Sequence, residues 1–129
     1  MMKILAIMAG GGIGAATRYS LALLAQRLTP DNFPYGTLAA NLLGSLAIGF
    51  LWSFFEGSRL NNEWRLFIFT GFLGGFTTFS TFARETTQLF KIGEWKTALI
   101  YLTISNALGI ALVITGFLLA NRLCNSWPK

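Results

Sequence analysis

The fold is decided by a stretch of 24 residues at positions 32–55, NFPYGTLAANLLGSLAIGFLWSFF, which contains no charged side chain. A second uncharged stretch, of 25 residues, lies at positions 97–121. A helix needs about 20 predominantly apolar residues to cross the hydrocarbon core of a bilayer, which is about 30 Å thick. Both stretches therefore predict membrane-spanning helices.

Two further segments complete the helical pattern. Positions 66–83 are also uncharged, and this segment can continue past Arg84 to about position 90. The N-terminal segment is interrupted only by Arg18. The sequence therefore predicts an all-α membrane protein that forms a single domain over residues 1–129, with multiple membrane passes. The four predicted spans lie at about 4–26, 33–55, 66–90 and 97–121.

The composition excludes several classes of function. The ten Lys and Arg and five Asp and Glu give a formal charge of +5, but most of these residues lie at the termini or between the spans. The dispersed basic excess predicts no nucleic-acid surface. The chain has no histidine and one cysteine, Cys124, so catalytic triads, imidazole metal sites and thiolate clusters are excluded. The sequence does not predict an enzyme.

The span ends carry the features of a membrane interface, but they do not fix one orientation. Aromatic anchors are typical of this region, and five such residues lie near span ends: Tyr35, Trp52, Trp64, Trp95 and Trp127. The side with both termini carries five Lys or Arg and the opposite side three, a weak bias under the positive-inside rule. The chain could insert either way, which permits an antiparallel dimer of dual topology without proving one.

Polar residues recur at every fourth position on two spans. They share one face of each helix: Thr37, Asn41, Ser45 and Gly49 on the second span, and Thr97, Tyr101, Ser105 and Gly109 on the fourth. Such stripes are consistent with a hydrogen-bonding track for a conducted solute. They are also consistent with polar contacts between helices, each worth about 0.6 kcal/mol. The spacing leaves both interpretations open.

The third span contains an unusual segment, GFLGGFTTFSTF, at positions 71–82. Adjacent glycines followed by β-branched and hydroxyl residues disfavour a continuous helix, so we expect a break near the middle. Unwound carbonyls would suit a hard cation such as Na⁺, and the start of the following half-helix would favour an anion. A glycine-rich helix that merely packs closely against a neighbour is the alternative.

Small residues four positions apart permit close helix packing in lipid. The pairs are Gly10 with Gly14, Ser45 with Gly49, Gly71 with Gly75, and Ala107 with Ala111. They could pack helices within one subunit or between two subunits.

Charged residues inside a membrane usually face the interior or a water-filled cavity. For Arg18 this predicts an anion-concentrating vestibule or contact with the interface, and Arg84 and Glu85 are as easily explained by solvation at a span end.

Three stretches of the sequence resemble the CrcB/Fluc fluoride channels: GGIGAATRY at positions 11–19, GTLAAN at positions 36–41 and GFLGGFTTFSTF at positions 71–82. The resemblance covers essentially the whole chain, in the same order and with the same four-helix layout. It implies an antiparallel, dual-topology homodimer in the inner membrane of the cell, with two fluoride pores and a central structural Na⁺.

The resemblance also implies a role for individual residues. The pore residues correspond to Asn41, Phe79, Phe82, Ser80, Thr81, Thr37, Tyr101 and Ser105. Arg18 corresponds to a vestibule arginine, and Glu85 to an acid that closes the third motif. The backbone carbonyls of Gly74 and Thr77 correspond to ligands of Na⁺. Gly109 departs from the pattern, because some members carry a serine there.

Two other classes of membrane protein remain as alternatives. A small dual-topology drug exporter has a similar size, but it needs a membrane-embedded acid to exchange protons for cations, and positions 4–26 contain no Asp or Glu. In a non-transporting assembly protein the polar stripes would serve packing alone. Fluoride flux through reconstituted protein separates these classes.

Overall fold

The computed structural model describes residues 1–125 and contains only helices and their connections within this range. The all-helical class predicted from the sequence is therefore confirmed. The elements are α1 (Met2–Leu28), α2 (Tyr35–Phe54), α3 (Asn62–Arg65), a π-helical segment (Leu66–Leu73), α4 (Gly74–Phe76), α5 (Phe79–Lys91) and α6 (Trp95–Asn125). Trp127, one of the predicted aromatic anchors, lies outside the described residues.

The third span consists of two half-helices. The helix α3, the π-helical segment and α4 run on from one another, and we call residues 62–76 the first half-helix; α5 is the second. Between them, Thr77 and Thr78 have extended backbone angles, with ψ of 154° and 119°. The break thus follows the glycine pair instead of lying within it, since Gly74 has helical angles of −63° and −37°.

Three stretches of the described chain are long and apolar enough to cross a membrane: Tyr35–Phe54, Asn62–Lys91 and Trp95–Asn125. These stretches support the assignment to a membrane. Helix α1 is not among them, although its 27 residues correspond to about 40 Å at 1.5 Å per residue. Its glycines and Arg18 lower its hydropathy, so the fourth span stays a prediction.

Glycines allow α1 to lie directly against the first half-helix. A Cβ atom at Gly10 would overlap the carbonyl oxygen of Phe67, and one at Gly75 would overlap that of Gly11. The contact distances leave no room for any side chain at these positions. The pairs Gly10/Gly14 and Gly71/Gly75 therefore pack α1 against the first half-helix within one subunit. The residues of the fourth pair, Ala107 and Ala111, are exposed on α6.

The helices α2 and α6 form a second close pair. A Cβ atom at Gly49 would lie 2.9 Å from the Cα atom of Val113, and one at Gly116 would lie 2.6 Å from the backbone nitrogen of Phe50. The two backbones are therefore in direct contact over the C-terminal half of α2. Over its N-terminal half, α2 faces α6 with its polar stripe.

Candidate functional site

The break in the third span is held by the side chain of Asn41 on α2. The backbone N–H of Thr78 donates to Oδ1 of Asn41 at 2.7 Å, and Nδ2 of Asn41 donates to the carbonyl of Thr78 at 3.0 Å. The side-chain amide of Asn41 thus hydrogen-bonds both the N–H and the carbonyl of Thr78, a residue with non-helical backbone angles. A broken helix within a membrane is tolerated only when its freed backbone groups find such partners.

Thr78 also begins the second half-helix. Its hydroxyl oxygen accepts from the backbone N–H of Thr81 at 3.2 Å, the geometry of an N-cap. The same hydroxyl donates to Oγ1 of Thr81 at 3.0 Å. Ser80 lies in the exposed first turn. The partly positive end of α5 therefore points toward the break, with hydroxyl groups around it.

The carbonyl groups of Gly74 and Thr77 are the predicted cation ligands, and the break changes the surroundings of both. In a continuous helix the N–H of Thr78 would donate to the carbonyl of Gly74, but it donates to Asn41 instead. Thr77 is extended, and its hydroxyl donates to the carbonyl of Leu73 at 2.9 Å. Two backbone carbonyls without their helical donors, one of them on the exposed Gly74, fit a hard cation that binds oxygen.

The acidic side chain of Glu85 connects the two polar stripes. The hydroxyl of Thr37 donates to Oε1 of Glu85, and the hydroxyl of Tyr101 donates to Oε2, both at 2.8 Å. Thr37 is 6% exposed and Tyr101 is fully buried. Because each carboxylate oxygen accepts a hydrogen bond from a hydroxyl, three side chains from α2, α5 and α6 form one hydrogen-bonded group, in which Glu85 is partly buried.

The two predicted pore phenylalanines are neighbours, but they differ in exposure. Their ring centroids lie 5.8 Å apart at an angle of 50°. Phe82 is buried and packs edge-on against Tyr101 at 5.1 Å, whereas Phe79 is 77% exposed. The structure therefore brings Phe82 to the polar group around Glu85, while Phe79 faces outward from the subunit.

Ser105 carries a polar atom without a partner. Its hydroxyl oxygen is buried, and no hydrogen bond to it exists within residues 1–125. Leaving a buried hydroxyl unpaired costs about 1–3 kcal/mol, so such groups call for an explanation such as an ordered water or ion. The position of Ser105 on α6, one turn from Tyr101, places this hydroxyl on the same helix face as the phenol.

Two cavities adjoin these residues. One, of about 600 Å³, lies where α1 ends and α2 begins, and Thr37 and Glu85 contribute to its wall. The other, of about 350 Å³, lies at the break, and Asn41, Ser45 and Gly74 contribute to its wall. Among the predicted pore residues, Thr37 therefore borders the first cavity, and Asn41 and Phe79 border the second.

Arg18 lies on α1 and contacts the end of the first half-helix. Its Nε donates to the carbonyl of Gly75 at 3.2 Å, so it is a second side chain that binds backbone near the break. Arg84 is exposed on α5 and contacts Gln88 at 3.4 Å. Neither arginine joins the hydrogen-bonded group around Glu85.

Sequence reasoning missed two functional contributions. The backbone of Thr78 is the partner of Asn41, and its only sequence signal is a threonine placed three residues before Thr81, as expected of an N-cap. Glu85 was assigned to a span end, where solvation was as plausible as function. No local pattern indicates that its carboxylate binds Thr37, which is 48 residues away.

These features define a small helical membrane protein whose interior carries polar side chains and a broken helix between two cavities. Comparison with known families places it more narrowly. Residues 5–117 match the family described as CrcB-like protein, Camphor Resistance (CrcB), and the chain belongs to this family. The resemblance drawn from the three sequence motifs is thereby confirmed.

Curated relatives are similar over nearly the whole chain. A protein of Desulfotalea psychrophila is 48% identical over 122 residues, covering 95% of this chain and 94% of its own. A protein of Parabacteroides distasonis is 42% identical over 123 residues, covering 95% and 96%. One of Bacteroides fragilis is 45% identical over 119 residues, covering 90% and 94%. Each is named fluoride-specific ion channel FluC.

Proposed function

We propose that this protein is a fluoride-specific ion channel and not an enzyme. The observation that carries the proposal is the shared name of relatives that are up to 48% identical over 95% of the chain. The chemistry of the interior supports it. A pathway for a small anion needs donors that bind weakly enough to release it. The donors near the two cavities are the hydroxyls of Thr37 and Tyr101, which bind the carboxylate of Glu85, and the amide of Asn41.

The proposed pore is lined by Asn41, Phe79, Phe82, Ser80, Thr81, Thr37, Tyr101 and Ser105. The unpaired hydroxyl of Ser105 supports this assignment, because it could donate a hydrogen bond to a bound anion. The buried edge of Phe82 supports it too, since an aromatic ring is positive at its edge and carries no fixed charge. A fixed cation at this point would hold the anion too strongly for rapid passage.

The chain functions as an antiparallel homodimer of dual topology with two pores and a structural Na⁺ at its centre. One subunit offers two backbone oxygens to a hard cation, the carbonyls of Gly74 and Thr77. A second copy in the opposite orientation doubles this set. The exposure of Gly74 and Phe79 on one subunit and the nearly even distribution of basic residues support this assembly.

All four spans, α1, α2, the broken third span and α6, cross the membrane, which is the inner membrane of a bacterial cell. Helix α1 packs through its glycines along the first half-helix, which is part of a span. Arg18 then faces an aqueous vestibule that concentrates anions before they enter the pore. Its remaining guanidinium donors are available for this role, because its bond to Gly75 uses Nε.

A passive channel of this kind protects a cell from fluoride. Hydrogen fluoride crosses membranes as the neutral acid and dissociates in a more alkaline cytoplasm, which traps the anion. A negative-inside potential then drives fluoride out through a selective pore. No nucleotide or proton-relay carboxylate is required for this process.

The proposal is tested with liposomes that contain the purified protein and either fluoride or chloride. An ion-selective electrode records efflux after the membrane potential is released with valinomycin. We expect rapid efflux of fluoride and retention of chloride. Fluoride retention equal to that of protein-free liposomes would refute the channel. A proton gradient that drives cation uptake would favour the exporter.

A further inference from the structure

The polar stripes of α2 and α6 lie opposite each other over only part of their length. At one end Thr37 and Tyr101 are joined through Glu85. Two turns further along α2, Ser45 lies opposite Gly109, where an added Cβ atom would be 3.6 Å from the hydroxyl oxygen of Ser45. We call the α2–α6 interface between these two levels the polar seam.

Beyond Ser45 the interface between α2 and α6 is closed. Gly49 lies against the backbone of Val113, and Gly116 against the backbone of Phe50. Such close packing leaves no space between the helices for an ion. At the far end, the buried hydroxyl of Ser53 donates to Oδ1 of Asn121 at 2.7 Å. A solute in the seam therefore has to leave it near Ser45.

Ser45 also contributes to the wall of the second cavity. This cavity of about 350 Å³ is bounded by Asn41, Gly74 and Thr77 as well. Ser45 is thus both at the inner end of the polar seam and at the edge of the cavity beside the break. Ser45 belongs to the polar stripe of α2, but the pore lining proposed above does not include it.

We propose that Ser45 is a pore-lining residue whose hydroxyl passes the anion between the polar seam and the cavity at the break. This inference rests on the proposed channel function. Its position favours it, because Gly109 has no side chain and so no hydroxyl of α6 is present at this level. The missing side chain also leaves space next to the hydroxyl of Ser45.

The hydrogen bonding of Ser45 allows the exchange. Its hydroxyl donates to the carbonyl of Asn41 at 2.7 Å. In an α-helix that carbonyl also accepts the backbone N–H of Ser45, so it keeps a partner when the hydroxyl turns away. The hydroxyl can therefore donate to a passing anion without leaving a buried carbonyl unpaired.

The test compares fluoride efflux from liposomes for four variants. Ser45→Ala is expected to lower the fluoride flux about tenfold or more, as expected when a hydrogen bond to a charged group is lost. Ser20→Ala is the matched control, because Ser20 makes the same bond to the carbonyl four residues earlier but is exposed. The flux of this control should equal that of the wild type.

Two further variants test whether a hydroxyl restores the flux. Ser45→Thr keeps a hydroxyl and should retain flux. The double variant Ser45→Ala/Gly109→Ser supplies a hydroxyl from the opposite helix and should recover it.

The outcomes separate this inference from the channel function itself. An inactive wild-type protein refutes the channel. An active wild type with a Ser45→Ala flux within about twofold of Ser20→Ala refutes a role for Ser45. A reduced flux that neither Ser45→Thr nor the Gly109→Ser exchange restores shows that Ser45 acts through packing, which overturns its role in conduction.

Discussion

Replacing Asn41 with alanine removes the two hydrogen bonds that hold the break in the third span. The side chain accepts from Thr78 N–H at 2.7 Å and donates to Thr78 carbonyl at 3.0 Å. Interhelical hydrogen bonds in membranes average about 0.6 kcal/mol and reach about 1.7 kcal/mol. Two of them correspond to about 1–3 kcal/mol. We expect a loss of stability in the upper half of that range, because both freed groups belong to one partly buried residue, Thr78.

The assay is equilibrium unfolding in mixed micelles of a mild detergent and dodecyl sulfate. Asn106→Ala is the matched control, since Asn106 donates to the carbonyl of Leu102 at 2.8 Å within its own helix and is exposed. Its loss of stability should be below about 0.5 kcal/mol, as for most surface substitutions. If Asn41→Ala is no less stable than Asn106→Ala, the reasoning about the break is wrong.

Three further substitutions probe the packing, the pore and the cation site. Gly14→Ala places a Cβ atom on the carbonyl oxygen of Phe72 and should destabilise the protein by about 1–3 kcal/mol. Gly12→Ala is the control and should not destabilise it, because an added Cβ atom there has no neighbour within 4 Å. Equal unfolding midpoints for the two variants would contradict this packing. Phe82→Ile should lower fluoride flux about fivefold, the effect of losing about 1 kcal/mol of ring-edge interaction, while the dimer stays assembled; unchanged flux would remove Phe82 from the pore. Thr77→Ser keeps the carbonyl and the hydroxyl, so size-exclusion chromatography should show the same Na⁺-dependent dimer as the wild type, and loss of that dependence would argue against backbone ligation.

The helical class of the fold was predictable, because it depends on properties that act along the chain. An uncharged stretch such as positions 32–55 has few stable alternatives to a helix in lipid, where every backbone group needs a partner. The break was predictable in outline for the same reason, since GFLGGFTTFSTF favours helix poorly. Its position was not, because Gly74 and Gly75 both retain helical geometry and Gly75 packs closely against Gly11. The chain turns out of the helix only at Thr77.

The partners within the site could not be predicted from the sequence. The spacing of Thr37 and Asn41 indicates a shared helix face, but it does not reveal what that face meets. Asn41 binds a backbone 37 residues away, and Thr37 binds the carboxylate of Glu85. Such contacts depend on how α2, α5 and α6 pack together, and pattern along one helix contains no information about that packing. The different exposure of Phe79 and Phe82 has the same origin.

We propose above all that the polar interior of this protein conducts fluoride and excludes other anions. The most direct measurement is the reversal potential of the current across a planar bilayer that contains the purified protein, with opposed gradients of fluoride and chloride. We expect reversal at the equilibrium potential of fluoride, unaffected by the chloride gradient. Reversal at the chloride potential, or a current no larger than that of the bare bilayer, would contradict it.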